Sequence, residues 1–435
     1  MKCPQKYAPM NKSESDAKTF VWDRRCLQVL AIVFVLAFGV RLGLVWQFVG
    51  FDSPPDATSA PDQLNYEESA FQLSIGNGYS NKDGDPTLHR MPGTSFTLLP
   101  VYLFFGRSYA AARVWFCILS ALACVGTAWV ATQSFGRQVG LVAGLLISVY
   151  PNHAYGPLHF VSEVPFSLLV ILATGTTVLA FRAEKSLAEK SVYVSIIAGI
   201  LWGCTALVRP NILLCFPLLI ACASWSSDRL RRGLYLSVCM TAATCLLVGL
   251  WAGRNYMVFG RPTLAAVGAY TLWGANNERV LSESPGSWIK TSDLVDQDHP
   301  INGDELQRMD QANQYAKDFF AKHLADLPYL TTMKLYRLLD PWVETDNILV
   351  QWSFGIAWLA TIPFIIFGVF RSLSVSKVDA VYLLLPLAAL VLTAAIFYGS
   401  PRFRDSVSSV YMVFAALGFR DIARQLDLQK LIQSR

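Results

Sequence analysis

Between Leu27 and Gly50 the chain runs for 24 residues with a single charge, Arg41, and apolar runs of this kind recur along most of the sequence. Wound as a helix, such a run is roughly 36 Å long against about 30 Å of hydrocarbon, so it can cross a bilayer with some tilt. Of the 435 residues, 53% are hydrophobic and only 15% charged, too few to spread over a water-facing globule. The pattern therefore predicts an all-α polytopic membrane protein.

Nine further spans are expected near 108–133, 138–157, 161–181, 191–208, 210–225, 233–253, 350–370, 378–398 and 405–420, giving ten. Leu27–Gly50 follows a long basic region and no small-residue cleavage site follows it, so it reads as a retained signal anchor. With the N-terminus in the cytoplasm, the inward segments hold nineteen basic residues, among them Arg137, Arg182, Lys185, Lys190, Arg229, Arg231, Arg232, Arg371 and Lys377. The short outward turns hold few, so both termini are expected inside. The resulting divisions are a cytoplasmic segment 1–26, a membrane domain 27–253 with a first outward loop at 51–106, a large outward loop 254–349, C-terminal spans 350–420 and a tail 421–435.

All nine cysteines fall in the cytoplasmic N-terminal region or inside predicted spans, so no disulfide framework is expected outside. The histidines His89, His153, His159, His299 and His323 lie outside or at outer helix ends, and no pair has the i, i+4 spacing of a helical zinc site. No metal ligand set is therefore assigned, and a divalent metal stays open without support in the sequence. A Gly-rich phosphate loop, a Ser/His/Asp pattern and a CxxC pair are likewise absent. Chemistry must then come from the outward loops and helix ends.

Two acids stand out there. Asp62, in Asp62-Gln63-Leu64-Asn65-Tyr66-Glu67, reads either as the cap of a helix starting near Leu64 or as a general base. A phosphate leaving group needs no paired acid, so one carboxylate can serve transfer of a sugar from a lipid phosphate. Glu163 sits at the outer end of a span among apolar neighbours, either tolerated at the interface or functional. Arg90, Arg209, Arg254, Arg402 and Arg404 are placed on the same side, where guanidinium groups fit phosphate oxygens or simply contact lipid headgroups. Arg41, inside the first span, is expected to pair with a carboxylate or to reach outward.

Taken in order, Asp62 with Tyr66, Gly76-Asn77-Gly78-Tyr79, Arg90-x-Pro92-Gly93, Phe135-Gly136, Tyr150-Pro151, Ser162-Glu163, Arg209-Pro210, Arg254-Asn255-Tyr256, Gly274-Ala275-Asn276-Asn277 and Arg402-Phe403-Arg404 resemble the GT-C glycosyltransferases. The nearest groups are the protein mannosyltransferase and aminoarabinose transferase superfamily. The resemblance implies a GT-C-like bundle with extracytoplasmic loop helices, a polyprenyl-phosphate-linked sugar donor, an extracytoplasmic acceptor and transfer with inversion. It further implies Asp62 and Glu163 as the catalytic acids and the five arginines at the donor phosphate, with Tyr66, His89, Asn276 and Asn277 expected beside the substrate. Many relatives carry a second acid directly after the first aspartate, where this chain has Gln63. Lack of the extra soluble domain of eukaryotic protein mannosyltransferases points to a bacterial plasma membrane. A transporter or flippase of a lipid-linked saccharide is the alternative, but its ionisable residues would cluster near the midplane. A scaffold would leave Asp62 and Glu163 without a shared task, and no feature suggests nucleic-acid binding.

Overall fold

The computed structural model describes residues 24–433 apart from 59, 183–187, 227–229, 344 and 346. The basic residues before Arg24, Lys185, Arg229, Arg435 and Cys3 lie outside the described residues. Eighteen α-helices are described and no strand, only an isolated bridge between Ser80 and Pro86. The long ones are α1 (Arg24–Phe48), α4 (Tyr109–Phe135), α7 (Glu163–Arg182), α8 (Ala188–Val208), α10 (Leu230–Phe259), α15 (Ile348–Val375), α16 (Lys377–Ile396) and α18 (Ser408–Gln433). Between them lie α2 (Asp62–Ser74), α3 (Gly93–Phe105), α5 (Arg137–Val149), α6 (Pro151–Ala154), α9 (Cys215–Ser226), α11 (Val267–Ala275), α12 (Glu278–Glu283), α13 (Glu305–Lys322), α14 (Leu327–Leu339) and α17 (Pro401–Asp405).

Each of the ten expected spans corresponds to helix, and seven helices are long and apolar enough to cross a membrane. The other three differ for physical reasons. In α5 the helix stops after 13 residues, about 20 Å, because Pro151 forces Tyr150 into an extended conformation. At 210–226 a 3-10 turn opened by Pro210 shortens α9 to 12 residues. In α18 the apolar half, 410–417, is completely buried, and the other half carries charges.

Apolar surface gives no association energy between helices inside lipid, so burial separates centre from periphery. In α4, α7 and α16, 61–67% of the apolar window is buried, and with the first half of α18 they form the core. By contrast α1, α10 and α15 bury 22–28% and turn most of their surface outward. The narrow seam of α1 is Val33, Ala37, Arg41 and Val45, one residue every four. Arg41 meets no carboxylate there. It donates to the Ala37 and Ser148 carbonyls at 2.9 and 3.0 Å, to Ser120 Oγ at 2.6 Å and to Cys124 Sγ at 3.2 Å. These bonds hold the peripheral α1 to α4 and α5.

Tight backbone contact fixes α15 against α18. A Cβ on Gly368 would collide with the Phe414 carbonyl, and one on Gly418 with the Phe364 carbonyl. At one end of the bundle lie the close of α4, α7 and α15 and the start of α16, joined by Arg182–Asp379 and by Arg371–Asp421 at 2.7 Å. The outward loops expected from the sequence sit at the other end. There α2 begins at Asp62, two residues before the expected start near Leu64, and α13 begins at Glu305 under an Asp304/Gln307 capping box. Leu88 from the first loop joins Ala269, Trp273, Met309, Ala312 and Ala316 in a small core, tying the two loop segments together.

Gly368→Val would wedge α15 off α18 and cost about 3 kcal/mol. Thermal melting in detergent measures it, and an unchanged transition would show that the two helices do not pack through this contact.

Candidate active site

Five charged side chains alternate in sign across the loop-bearing end of the bundle: Arg90, Asp62, Arg402, Glu163 and Arg209. Arg90 Nη2 lies 2.6 Å from Asp62 Oδ1, and Asp62 Oδ2 lies 3.2 Å from Arg402 Nη2. Arg402 then reaches Glu163 through Nε and through Nη2 at 3.3 Å. Glu163 Oε1 closes the series on Arg209 Nη2 at 2.7 Å. The two acids thus stand on one flank, bridged by a single guanidinium.

Local sequence explains the convergence. Asp62 and Glu163 are each the first residue of a helix, where the macrodipole favours a carboxylate. Arg209 follows directly on the C-terminus of α8, where the same dipole favours a cation. Gly93 opens α3 and packs so closely on Leu207 and Val208 that a Cβ would lie 2.6 Å from their backbone. That contact brings the Arg90-x-Pro92-Gly93 loop beside the α8 end and so beside Arg209. Arg402 rides on the five-residue α17, whose first turn is capped by the Ser400 hydroxyl.

The ladder is partly open. Asp62 and Glu163 side chains are 23% and 15% exposed, whereas the central Arg402 is 42% exposed. Burial pushes the Asp62 carboxyl up, but Arg90 and Arg402 outweigh it and hold it below the ordinary 3.8. Burial also opposes the charge on Arg402, yet Glu163 and Asp62 raise its affinity for the proton above the ordinary value. Arg90 Nε is buried with no hydrogen-bond partner, a donor already removed from water.

Asp62 does not cap its helix: Pro61 occupies that position, and the carboxylate turns to arginine instead. Tyr66 is buried, and Arg90 lies over its ring at 5.8 Å. His89 adjoins Arg90 and Asp62; burial, reinforced by Arg90, pulls its imidazole down to about 4. Gln63, in the place of the relatives' second acid, is buried and makes two bonds of opposite sense. Its Nε2 donates to the Asp56 carbonyl at 2.7 Å and its Oε1 accepts from the Phe160 amide at 3.3 Å. A carboxylate could not supply that donor, so the amide fits the crosslink between the first loop and the Glu163 segment.

Four other expected site residues are engaged elsewhere. Arg254 donates to the Thr87 and Tyr79 carbonyls at 2.9 and 2.8 Å and stacks on Trp251, which pins the first loop to α10. Arg404 is buried against Asp405 and Trp358 and donates to the Asp340 carbonyl at 2.6 Å. Asn277 caps α12 by accepting from Val280 N at 2.9 Å. Asn276 is fully buried and accepts from Lys334 Nζ at 2.6 Å. None of these four contacts the ladder.

Two residues the sequence did not single out adjoin it. Tyr398 lies within electrostatic reach of Arg402, Asp62, Arg209 and Glu163; burial raises its phenol, which stays protonated. Its ring is held between Trp288 at 6.1 Å and Phe403 at 4.6 Å. His159 stands near Arg402 and Glu163, and burial, with Arg113 and Arg402, draws it down to about 4. Position was the available signal: Tyr398 precedes Arg402 by four residues and His159 precedes Glu163 by four.

Because His89 and His159 bind protons less readily folded than unfolded, their contribution to stability is intact above about 6.5 and is lost as pH falls through 4. Melting in detergent should therefore decline steadily from pH 6.5 to 4, and His89→Gln with His159→Gln should flatten the decline. An unchanged slope in the double variant would refute the assignment. Arg254→Ala removes two charge-assisted bonds to carbonyls and should cost about 2–4 kcal/mol. Equilibrium denaturation reads this loss, and a neutral result would mean that Arg254 does not pin the loop.

No protein-family model matches the chain, and no curated protein matches it. Solved structures do. The oligosaccharyltransferase AglB from Archaeoglobus fulgidus, in complex with an inhibitory peptide and a dolichol-phosphate, superposes with a TM-score of 0.57 at 15% identity, over 94% of this chain and 52% of that one. The same enzyme in complex with Zn and sulfate gives 0.54 at 15% identity, over 92% and 50%. ArnT from Cupriavidus metallidurans in the apo state gives 0.41 at 12% identity, over 90% and 76%. The chain thus spans about half the length of the archaeal enzyme, and over that span it has the same fold, the GT-C arrangement of membrane helices.

Proposed function

We propose that the protein is an integral membrane glycosyltransferase that moves a sugar from a polyprenyl-phosphate donor to an acceptor at the extracytoplasmic face, with inversion. The observation that carries this reading is the Arg–Asp–Arg–Glu–Arg ladder at one end of a GT-C bundle. Three guanidinium groups oppose two carboxylates, so one positive charge is left over, matching the single negative charge of a phosphodiester. The fold neighbour solved with a dolichol-phosphate supports a lipid-linked donor of this chemical class. Basic residues at the opposite end, among them Arg137, Arg182, Arg371 and Arg420, support placing that end in the cytoplasm of a plasma membrane.

Asp62 is the general base. It takes the proton of the acceptor as the acceptor attacks the anomeric carbon. The bond from that carbon to the phosphate oxygen breaks, and its electron pair leaves on the phosphate, which Arg90, Arg209 and Arg402 stabilise. In the free protein the arginines weaken Asp62 as a base. A phosphate oxygen that engages Arg90 Nε or Arg402 shares their charge and returns basicity to Asp62. Glu163 keeps Arg402 and Arg209 oriented. Placement at helix ends on one side, away from the midplane, favours transfer over a flippase.

The archaeal neighbour has been solved with Zn and sulfate. The residues present in this chain do not fit a metal. All four oxygens of Asp62 and Glu163 face guanidinium groups, and no set of three His, Cys, Asp or Glu side chains is placed to hold an ion among the described residues.

Mass spectrometry of envelope glycans and glycolipids from cells with and without the protein tests the reading, since a missing residue of defined mass gives donor sugar and acceptor together. Asp62→Asn should reduce transfer by at least about 100-fold with donor binding retained. Full transfer by that variant would remove Asp62 from the chemistry.

A further inference from the structure

We propose that Arg402 is the bridging cation of this site, doing with one guanidinium what a divalent metal ion does between two carboxylates. The inference rests on the transfer reading for its chemistry and deepens it. Two carboxylates brought to one flank repel each other, and something positive must lie between them. Here that place is taken by Arg402, which faces Asp62 Oδ2 through Nη2 at 3.2 Å and holds Glu163 through both Nε and Nη2.

The placement is built rather than incidental. Ser400 caps the start of α17, and Arg404, two residues on, pairs with its neighbour Asp405 and anchors the opposite face of that short helix to Trp358 and the Asp340 carbonyl. Phe403 packs on Tyr398 between them. Arg402 is thereby aimed at the acids by its own neighbours. The outer oxygens are taken up by Arg90 and Arg209, at 2.6 and 2.7 Å, which leaves no carboxylate oxygen for an incoming ion. A planar fork also differs from a metal in one useful way: it binds phosphate oxygens by hydrogen bonds and has no coordinated waters to shed.

Cation binding tests this without any donor sugar. Purified wild-type protein should show no manganese-dependent rise in melting temperature, whereas Arg402→Ala, which vacates the bridge, should gain a saturable rise of about 2–4 °C. Adding Asp62→Asn to Arg402→Ala should abolish the rise. Arg402→Gln, which keeps more of the side chain, repeats the measurement if the alanine variant does not fold. Once the acceptor is known, wild-type transfer should survive a chelator, and Arg402→Ala transfer, reduced about 100-fold, should recover about tenfold with manganese. Saturable manganese binding by the wild type overturns the proposal, as does a folded variant indifferent to the ion. Neither result bears on whether the protein transfers sugars, which envelope mass spectrometry decides separately.

Discussion

Like charges cannot be gathered at a membrane surface without compensation, and the alternating ladder supplies it. Each carboxylate has a guanidinium on both sides, so the acids ionise despite partial burial, and the arginines stay fixed despite their length. Remove the central member and two carboxylates face each other. The rest of the loop-bearing end can be read as the means of delivering five side chains from five separate segments to that arrangement. Helix N-termini present the acids, a helix C-terminus presents Arg209, and the Gly93 contact draws the Arg90 loop to them.

Much of this was legible in the sequence. Long apolar runs named the spans, because the bilayer sets their length and composition directly. The limits appeared where a proline shortened the helix, as at Pro151 and Pro210, since an apolar run continues through a proline that ends the helix. Asp62, Glu163, Arg90, Arg209 and Arg402 were legible by side and converge. Arg254 was equally legible and goes elsewhere, because a sequence tells that an arginine is outward but not whether it meets a carboxylate or a carbonyl. Arg402 and Arg404 make the point most sharply. Two residues apart on one short helix, they point to different faces, one to the ladder and one to Trp358. Asn276 and Asn277 carry a similar lesson: their amides are consumed by Lys334 and by the start of α12.

The polar residues inside the bundle obey the same logic as those at its rim. Lipid gives no hydrophobic drive for helix association, so peripheral helices depend on close contact and hydrogen bonds. Arg41 does this for α1, spending its donors on two carbonyls, a hydroxyl and a thiol. A neighbouring network joins His153 to Ser120 and Ser408, and Asn152 and Tyr411 to Asp405. Through Asp405 it reaches Arg404 and so the helix that carries Arg402. Packing of the membrane core and aim of the ladder are therefore linked by contiguous bonds.

What distinguishes Arg402 from its partners is access. Arg90 and Arg209 are 19% and 13% exposed and lie under neighbouring rings and loops, whereas Arg402 is 42% exposed at the middle of the series. A ligand phosphate approaching this end meets the most exposed guanidinium first, and that group holds both acids. Binding there necessarily alters the field at Asp62 and Glu163 together, because the same nitrogen, Nη2, faces both. On the proposed reading, donor and proton acceptor are thus coupled through one side chain.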